Sequence, residues 1–199
     1  AVLAEGDGVL LPDPVYDAYQ SPVRMAGGVI QPVRATIVQD RFVLTREALE
    51  AAATPSSRAL ILNTPWNPAG AVLRDTELWE IAQFVLRHDI VLISDEIYEA
   101  IVFEGHRHLS PAALSPDMRA RTILVNSLSK TYAMPGWRVG YCAAPASVIS
   151  AMLLVLQQSS RGPATFIQDA AAVALTASKD CVHEMRSRYA ERRSQVLAA

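Results

Sequence analysis

The regular alternation of short apolar runs with longer amphipathic segments constrains the fold of this chain more than any other feature. The apolar runs predict six strands, at residues 8–11, 29–33, 59–62, 91–94, 122–126 and 139–143. Helices are predicted at residues 45–53, 75–88, 147–158, 164–177 and 180–198. In the second of these helices, Leu78, Ile81 and Val85 recur at helical spacing and form one apolar face. Strands that alternate with helices predict an α/β fold with a mostly parallel sheet and helices on both faces.

Composition argues against several classes of function. With 199 residues and 51% hydrophobic content, the chain is long enough for one sizeable core. Its formal net charge of −2 argues against nucleic acid or an anionic membrane as a partner. No apolar run approaches the roughly 18 residues of a membrane span. The histidines and the two cysteines, Cys142 and Cys181, lack metal-ligand spacing, so we predict no metal, and reduced cysteines suit a cytoplasmic protein.

A lysine lies among phosphate-binding residue types in the segment 127–138. Ser127 and Ser129 precede Lys130 closely, and Arg138 follows it eight positions later. A lysine that forms a Schiff base needs a confined site where its amine can lose a proton. Hydroxyl groups and a guanidinium are donors suited to a phosphate. The combination predicts pyridoxal 5'-phosphate, whose aldehyde condenses with a lysine while its phosphate anchors the molecule.

Two other segments present polar side chains at the ends of predicted strands. Asp95 follows the run 91–94, where a carboxylate can pair with the pyridine nitrogen of this cofactor and keep it protonated. Tyr98 can reach the phenolic oxygen of the ring if the chain turns there. The prolines and the glycine of residues 63–70 predict a loop that presents the amide of Asn67. Because sites in parallel sheets lie beyond the carboxyl ends of strands, Asn67, Asp95 and Lys130 are predicted to lie together.

Three ordered blocks resemble one known family. They are Asn-Pro-Ala-Gly at 67–70, Ser-Asp-Glu-Ile-Tyr at 94–98, and Ser-Leu-Ser-Lys at 127–130 followed by Arg138. In order and spacing they resemble the class I/II aminotransferases, which are pyridoxal-phosphate enzymes of the aspartate-aminotransferase fold. The resemblance covers nearly the whole chain. It implies the three-layer α/β/α architecture of the large domain of these enzymes, incomplete at both ends.

The resemblance also implies a role for each matched residue. Lys130 would hold the cofactor as a Schiff base and then act as the base, while Asp95 would bind the pyridine nitrogen. Tyr98 and Asn67 would hydrogen-bond the oxygen of the ring. The phosphate would be held by Ser127, Ser129 and Arg138. Tyr16 occupies the position of an aromatic ring that stacks on the cofactor, although an ordinary packing role fits it as well.

By the same resemblance, the chain is expected to be a cut piece of a longer protein. Residues 1–179 would be most of the cofactor-binding large domain, without the upstream glycine-containing loop that cradles the phosphate. Residues 180–199 would begin the helix that leads to a C-terminal small domain, which carries the arginine for the substrate carboxylate. The complete protein is expected to be a homodimer.

The function predicted is transamination between an amino acid and a 2-oxo acid, with Lys130 moving the alpha proton. A lyase on the same scaffold is one alternative. An aminotransferase-like effector domain of a transcription regulator, joined to an upstream DNA-binding module, is another. A truncated product without activity is a third. The isolated chain is expected to be a poor catalyst, because the phosphate loop and the small domain lie outside it.

Overall fold

A six-stranded main sheet organises the part of the chain that the computed structural model describes, residues 1–103 and 105–199. In chain order the strands are β1 Gly8–Asp13, β2 Val29–Arg34, β3 Thr36–Val38, β4 Arg41–Val43, β5 Ser57–Asn63, β6 Val91–Asp95, β7 Thr122–Ser127 and β8 Gly140–Ala143. The main sheet has the order β2-β1-β5-β6-β7-β8, and β3 and β4 form a separate antiparallel pair. All neighbours in the main sheet are parallel except β7 and β8. The predicted α/β fold with a mostly parallel sheet is confirmed.

The helices lie between these strands or after β8. They are α1 Gln20–Met25, α2 Arg46–Ala52, α3 Asp75–Arg87, α4 Pro116–Arg121, α5 Leu128–Thr131, α6 Ala146–Ser159, α7 Thr165–Thr176 and α8 Asp180–Ala198. Thr45 caps α2, because its hydroxyl accepts a hydrogen bond from the backbone N–H of Ala48 at 3.2 Å. Within the described ranges, no helix combines the length and the apolar character that a bilayer crossing requires.

Apolar side chains cover both faces of the sheet. On one face, Leu60 and Leu92 pack with residues of α2, α3 and α4, including the fully buried Phe84. On the other face, Val9 and Ile61 belong to a smaller cluster with Val23 of α1 and with Tyr19. Burying each large apolar side chain stabilises the fold by about 1.5–3 kcal/mol. Because side chains alternate along a strand, Asp95 lies on the face of the smaller cluster and Ser94 on the opposite face.

The two ends of the sheet differ in strand direction. β2 is an edge strand, which suits Pro32, because proline cannot donate a ladder hydrogen bond. At the other end, Ser127 of β7 pairs with Gly140 of β8 in antiparallel register. A side chain at Gly140 would meet the carbonyl oxygen of Asn126 at 2.6 Å, so only glycine fits this close approach.

Candidate active site

The carboxyl ends of four neighbouring strands hold the predicted site residues. β1, β5, β6 and β7 are adjacent and parallel, so the segments that follow them meet at one edge of the sheet. Tyr16 follows β1, Asn67 follows β5, Asp95 ends β6, and Lys130 lies in α5 directly after β7. The structure therefore brings these four residues to the same edge of the sheet.

Hydrogen bonds from two donors fix the carboxylate of Asp95. The Tyr19 hydroxyl donates to Oδ2 at 2.5 Å, and the backbone N–H of Ile97 donates to Oδ1 at 3.2 Å. Burial first, and then the hydrogen bond to Asp95 and its negative charge, raise the pKa of Tyr19 far above its usual value. Tyr19 therefore stays protonated and remains the donor. Tyr19 was not predicted as a site residue, and its only signal in the sequence is its position three residues after Tyr16.

The side chain of Asn63 joins the Asn67 loop to the end of β6. Its Oδ1 accepts from the backbone N–H of Asn67 at 2.7 Å, and its Nδ2 donates to the backbone oxygen of Asp95 at 2.9 Å. The loop closes through a hydrogen bond from Gly70 N to Trp66 O, with Gly70 at a φ of 64°. Asn67 thus lies on a short, well-anchored loop. Its side-chain amide makes no hydrogen bond to the residues that the structure describes.

Lys130 and Tyr98 lie close to each other beside Asp95. The Lys130 Nζ is 5.8 Å from the centroid of the Tyr98 ring, which is within cation–π distance. Burial first, and then the negative charge of Asp95, raise the pKa of Tyr98, so its hydroxyl stays a donor at neutral pH. Lys130 is exposed, so residues 1–103 and 105–199 do not by themselves give it the confined surroundings expected for a Schiff-base lysine.

The side chains of Ser127, Ser129 and Arg138 differ in the hydrogen bonds that they make within the protein. The Ser127 hydroxyl caps α5 by accepting from the Ser129 N–H at 3.1 Å, and it lies 3.0 Å from the Val139 carbonyl oxygen. Arg138 makes one side-chain hydrogen bond within the described residues, to the Pro135 oxygen at 3.0 Å. Its φ of 51° is uncommon for a residue other than glycine, and such backbone outliers cluster at functional sites. Ser129 and Arg138 therefore remain available to an anion, whereas the Ser127 hydroxyl fixes the loop.

Two aromatic residues border the site in different ways. Tyr16 is 44% exposed and meets the Tyr19 ring edge to face, with centroids 5.4 Å apart. Trp66 is buried, and its Nε1 donates to the Pro14 oxygen at 2.9 Å, so this ring holds the loop against the segment after β1. Trp66 also lines a cleft together with Asn67, Tyr98 and Arg193. Trp66 thus both packs the loop and lines the cleft.

The side chains at this edge fit pyridoxal 5'-phosphate by their chemistry. A fixed carboxylate suits the ring nitrogen, and an uncommitted amide with a protonated phenol suits the ring oxygen. Hydroxyl and guanidinium donors suit the phosphate, and the amine of Lys130 suits the aldehyde. The described residues thus offer one partner for each polar group of the cofactor.

Comparisons with known proteins identify the relatives of this chain. The family described as "Aminotransferase class I and II" matches residues 1–199. The chain is 38% identical over 191 residues to an aspartate aminotransferase of Geobacillus stearothermophilus, and 44% identical over 197 residues to aromatic-amino-acid aminotransferase 2 of Thermococcus litoralis. These matches cover 96% and 98% of the chain but 48% and 50% of the relatives, so the chain spans about half their length.

Solved structures agree with the sequence matches. An aromatic aminotransferase from Pyrococcus horikoshii superposes with a TM-score of 0.94 at 44% identity, over 98% of this chain and 52% of that one. An N-succinyldiaminopimelate aminotransferase from Mycobacterium tuberculosis superposes with a TM-score of 0.95 at 37% identity, over 99% of this chain and 51% of that one.

Proposed function

The chain belongs to the class I and II aminotransferase family, and on that premise we propose that the protein transfers an amino group between an amino acid and a 2-oxo acid. The observation that carries the proposal is the position of Asp95. Its carboxylate is fixed by Tyr19 at the sheet edge to which Lys130, Tyr98 and Asn67 also come. We propose pyridoxal 5'-phosphate as the cofactor of this site.

The cofactor, when bound, supplies a ring that accepts electron density and so makes the hydrogen next to the substrate amine acidic. The half-buried Asp95 carboxylate, oriented by its two donors, would pair with the ring nitrogen and stabilise a positive charge there. Tyr19 and Ile97 hold both carboxylate oxygens and so fix their direction. Tyr98 and Asn67 donate hydrogen bonds towards the ring oxygen.

Lys130 has two tasks in this proposal. Its Nζ would hold the cofactor through the cofactor's aldehyde and, once the substrate amine had displaced it, the free amine would accept the alpha proton of the substrate. Proton transfer by a positioned side chain contributes about 10²–10⁴-fold to a rate. α5 follows β7 without a break and is capped by Ser127, which keeps the lysine backbone in place. Ser129 and Arg138 would hold the phosphate, Ser127 fixes the loop that carries Ser129, and Tyr16 would stack on the ring.

The organisation of the complete protein is also a proposal. Residues 1–179 belong to a cofactor-binding large domain, and α8 leads from it towards a small domain that binds the substrate carboxylate. The match to about half the length of the relatives supports this division. We further propose that the complete protein is a cytoplasmic homodimer with amino acids and 2-oxo acids as its small-molecule partners.

Chemical labelling of the lysines tests the proposed function. Residues 1–199 contain two lysines, Lys130 and Lys179, and peptide mapping after borohydride reduction of the complete, cofactor-loaded protein shows which lysine carries the cofactor. We expect the reduced cofactor on Lys130. Lys179 is a built-in control, because its Nζ contacts the Tyr132 hydroxyl and the Leu175 oxygen instead.

Two variants sharpen the labelling experiment. Lys130→Ala should abolish both the label and the transfer of amino groups, whereas Lys179→Ala should keep both. A label on Lys179, or transaminase activity in Lys130→Ala close to that of the wild type, would show that the assignment is wrong.

A further inference from the structure

A buried polar cluster lies on the far side of β6 from Asp95. The Glu96 carboxylate accepts hydrogen bonds at Oε1 from Ser94 at 2.9 Å and from Ser110 at 2.8 Å. Its Oε2 is 2.7 Å from Nε2 of His108, a hydrogen bond that the Nε2–H tautomer of the ring donates to the carboxylate. The side chains of Glu96 and His108 are 1% and 9% exposed. Both oxygens of the buried carboxylate are thus paired, which is the condition for burying such a group.

The cluster joins the two ends of one loop. Glu96 directly follows β6, and its backbone N–H donates to the Val125 oxygen of β7 at 2.9 Å. His108 and Ser110 lie at the far end of the segment that follows β6, so their hydrogen bonds to Glu96 hold that end against the end of the strand. This loop carries Tyr98, and other residues of it line the cleft beside Asn67. The same hydrogen bonds therefore constrain the segment on which Tyr98 lies.

The ring of His108 has one polar anchor. Its Nδ1 is buried without a hydrogen-bond partner among residues 1–103 and 105–199, so the ring is held through Nε2 alone. Glu99 brings a carboxylate oxygen within 4.8 Å of the ligand atoms of Glu96 and His108, a spacing that a cation could use. Because both Glu96 oxygens already have donors, we interpret the cluster as a hydrogen-bond network.

We propose that His108 and Glu96 are positioning residues, which fix the loop 96–110 and thereby hold the Tyr98 hydroxyl in place for the reaction. The proposal rests on the proposed function, since Tyr98 acts there on the ring oxygen of the cofactor. The two residues touch neither the cofactor nor the substrate. They act through Tyr98, so their effect must depend on the presence of its hydroxyl.

A set of variants in the complete enzyme tests this proposal. His108→Leu removes the anchor, and we expect kcat to fall by about 10- to 100-fold, the order expected when a reacting group is misplaced. His108→Gln keeps an N–H donor and should recover most of the loss. Ser110→Ala removes a single donor from Glu96 and should give a smaller loss of the same kind, which keeps the test usable if His108→Leu folds poorly.

The decisive measurement is a double-mutant cycle. In a Tyr98→Phe background, His108→Leu should change kcat by less than about twofold, because its target hydroxyl is already gone. Hydrogen exchange of the loop 96–110 should rise in His108→Leu. His88→Leu is the matched control: it breaks a second histidine–glutamate pair, to Glu50 at 2.8 Å on α2, and should leave kcat unchanged.

Several outcomes would overturn the proposal. They are additive effects of His108→Leu and Tyr98→Phe, no recovery in His108→Gln, wild-type turnover in His108→Leu, or loss of wild-type activity after chelation, which would indicate a cation in the cluster. Failure of this proposal leaves the borohydride label on Lys130. Failure of the proposed function removes or moves that label, so the two are distinguishable.

Discussion

The side chain of Asn63 offers a sharp test of how the site is held together, because it carries two hydrogen bonds that join Asn67 to Asp95. Asn63 is 5% exposed, and its hydrogen bonds are 2.7 and 2.9 Å long. Each neutral hydrogen bond contributes about 0.5–1.5 kcal/mol net. Asn63→Ala should therefore remove about 1–3 kcal/mol of the free energy that holds the Asn67 loop against the end of β6. The backbone oxygen of Asp95 keeps a second donor, the Thr64 N–H at 3.0 Å, so it is not left unpaired.

If the free energy of these two hydrogen bonds contributes fully to cofactor binding, the dissociation constant of pyridoxal 5'-phosphate should rise by roughly 5- to 150-fold in Asn63→Ala. Equilibrium dialysis of the complete protein measures it. Gln31→Ala is the matched control, since Gln31 also makes two side-chain hydrogen bonds, to Thr54 and Ser57, but at the amino end of the sheet. The control should lower the urea midpoint while leaving cofactor affinity unchanged. A dissociation constant for Asn63→Ala within twofold of the wild-type value would refute the reasoning.

Two further predictions concern Asp95 and its donor. Asp95→Ala should keep the fold, as judged by circular dichroism, but lose most transaminase activity, because the cofactor loses its anionic partner; near-normal turnover would contradict the role. The pKa of Tyr19 is higher in the folded protein than in the unfolded chain, so the unfolded chain releases this proton first as pH rises above about 10. The free energy of unfolding therefore decreases above that pH, and below it the contribution of Tyr19 is fully present. Tyr19→Phe should therefore flatten the alkaline decrease of the urea midpoint, and an unchanged profile would show that Tyr19 does not cause it.

The central strands could be predicted from the sequence because β1 and β5 are buried almost throughout and therefore appear as continuous apolar runs. The run at 59–62 lies inside β5, and the run at 91–94 differs from β6 by one residue. The antiparallel direction of β8 could not be predicted, since an apolar run carries no sign of the direction in which it pairs. The β3–β4 pair was missed because its turn uses Gln39 and Asp40 at positive φ, where Asn-Gly or Asp-Gly is the usual signal.

The sequence predicts those site residues that lie at the carboxyl ends of strands. Asn67, Asp95 and Lys130 were expected together, and the structure brings their segments to one sheet edge. Tyr19 and His108 were missed as participants, because each is defined by its partner and not by its own surroundings in the sequence. Tyr19 pairs with a residue 76 positions away, and His108 was read as one of several histidines without ligand spacing. Only the folded backbone reveals such pairs.

Assembly of the site from the ends of β1, β5, β6 and β7 has a consequence for the order of events during folding. The Tyr19–Asp95 contact spans 76 residues, and contacts of such high sequence separation form slowly, because long stretches of chain must be ordered first. An intermediate in which β7 has not yet joined β6 would contain Asp95 and Tyr98 without Lys130. Ligand that binds only the native arrangement stabilises it by mass action. Binding of the cofactor is therefore expected among the last steps of folding, where it stabilises a sheet that is already complete.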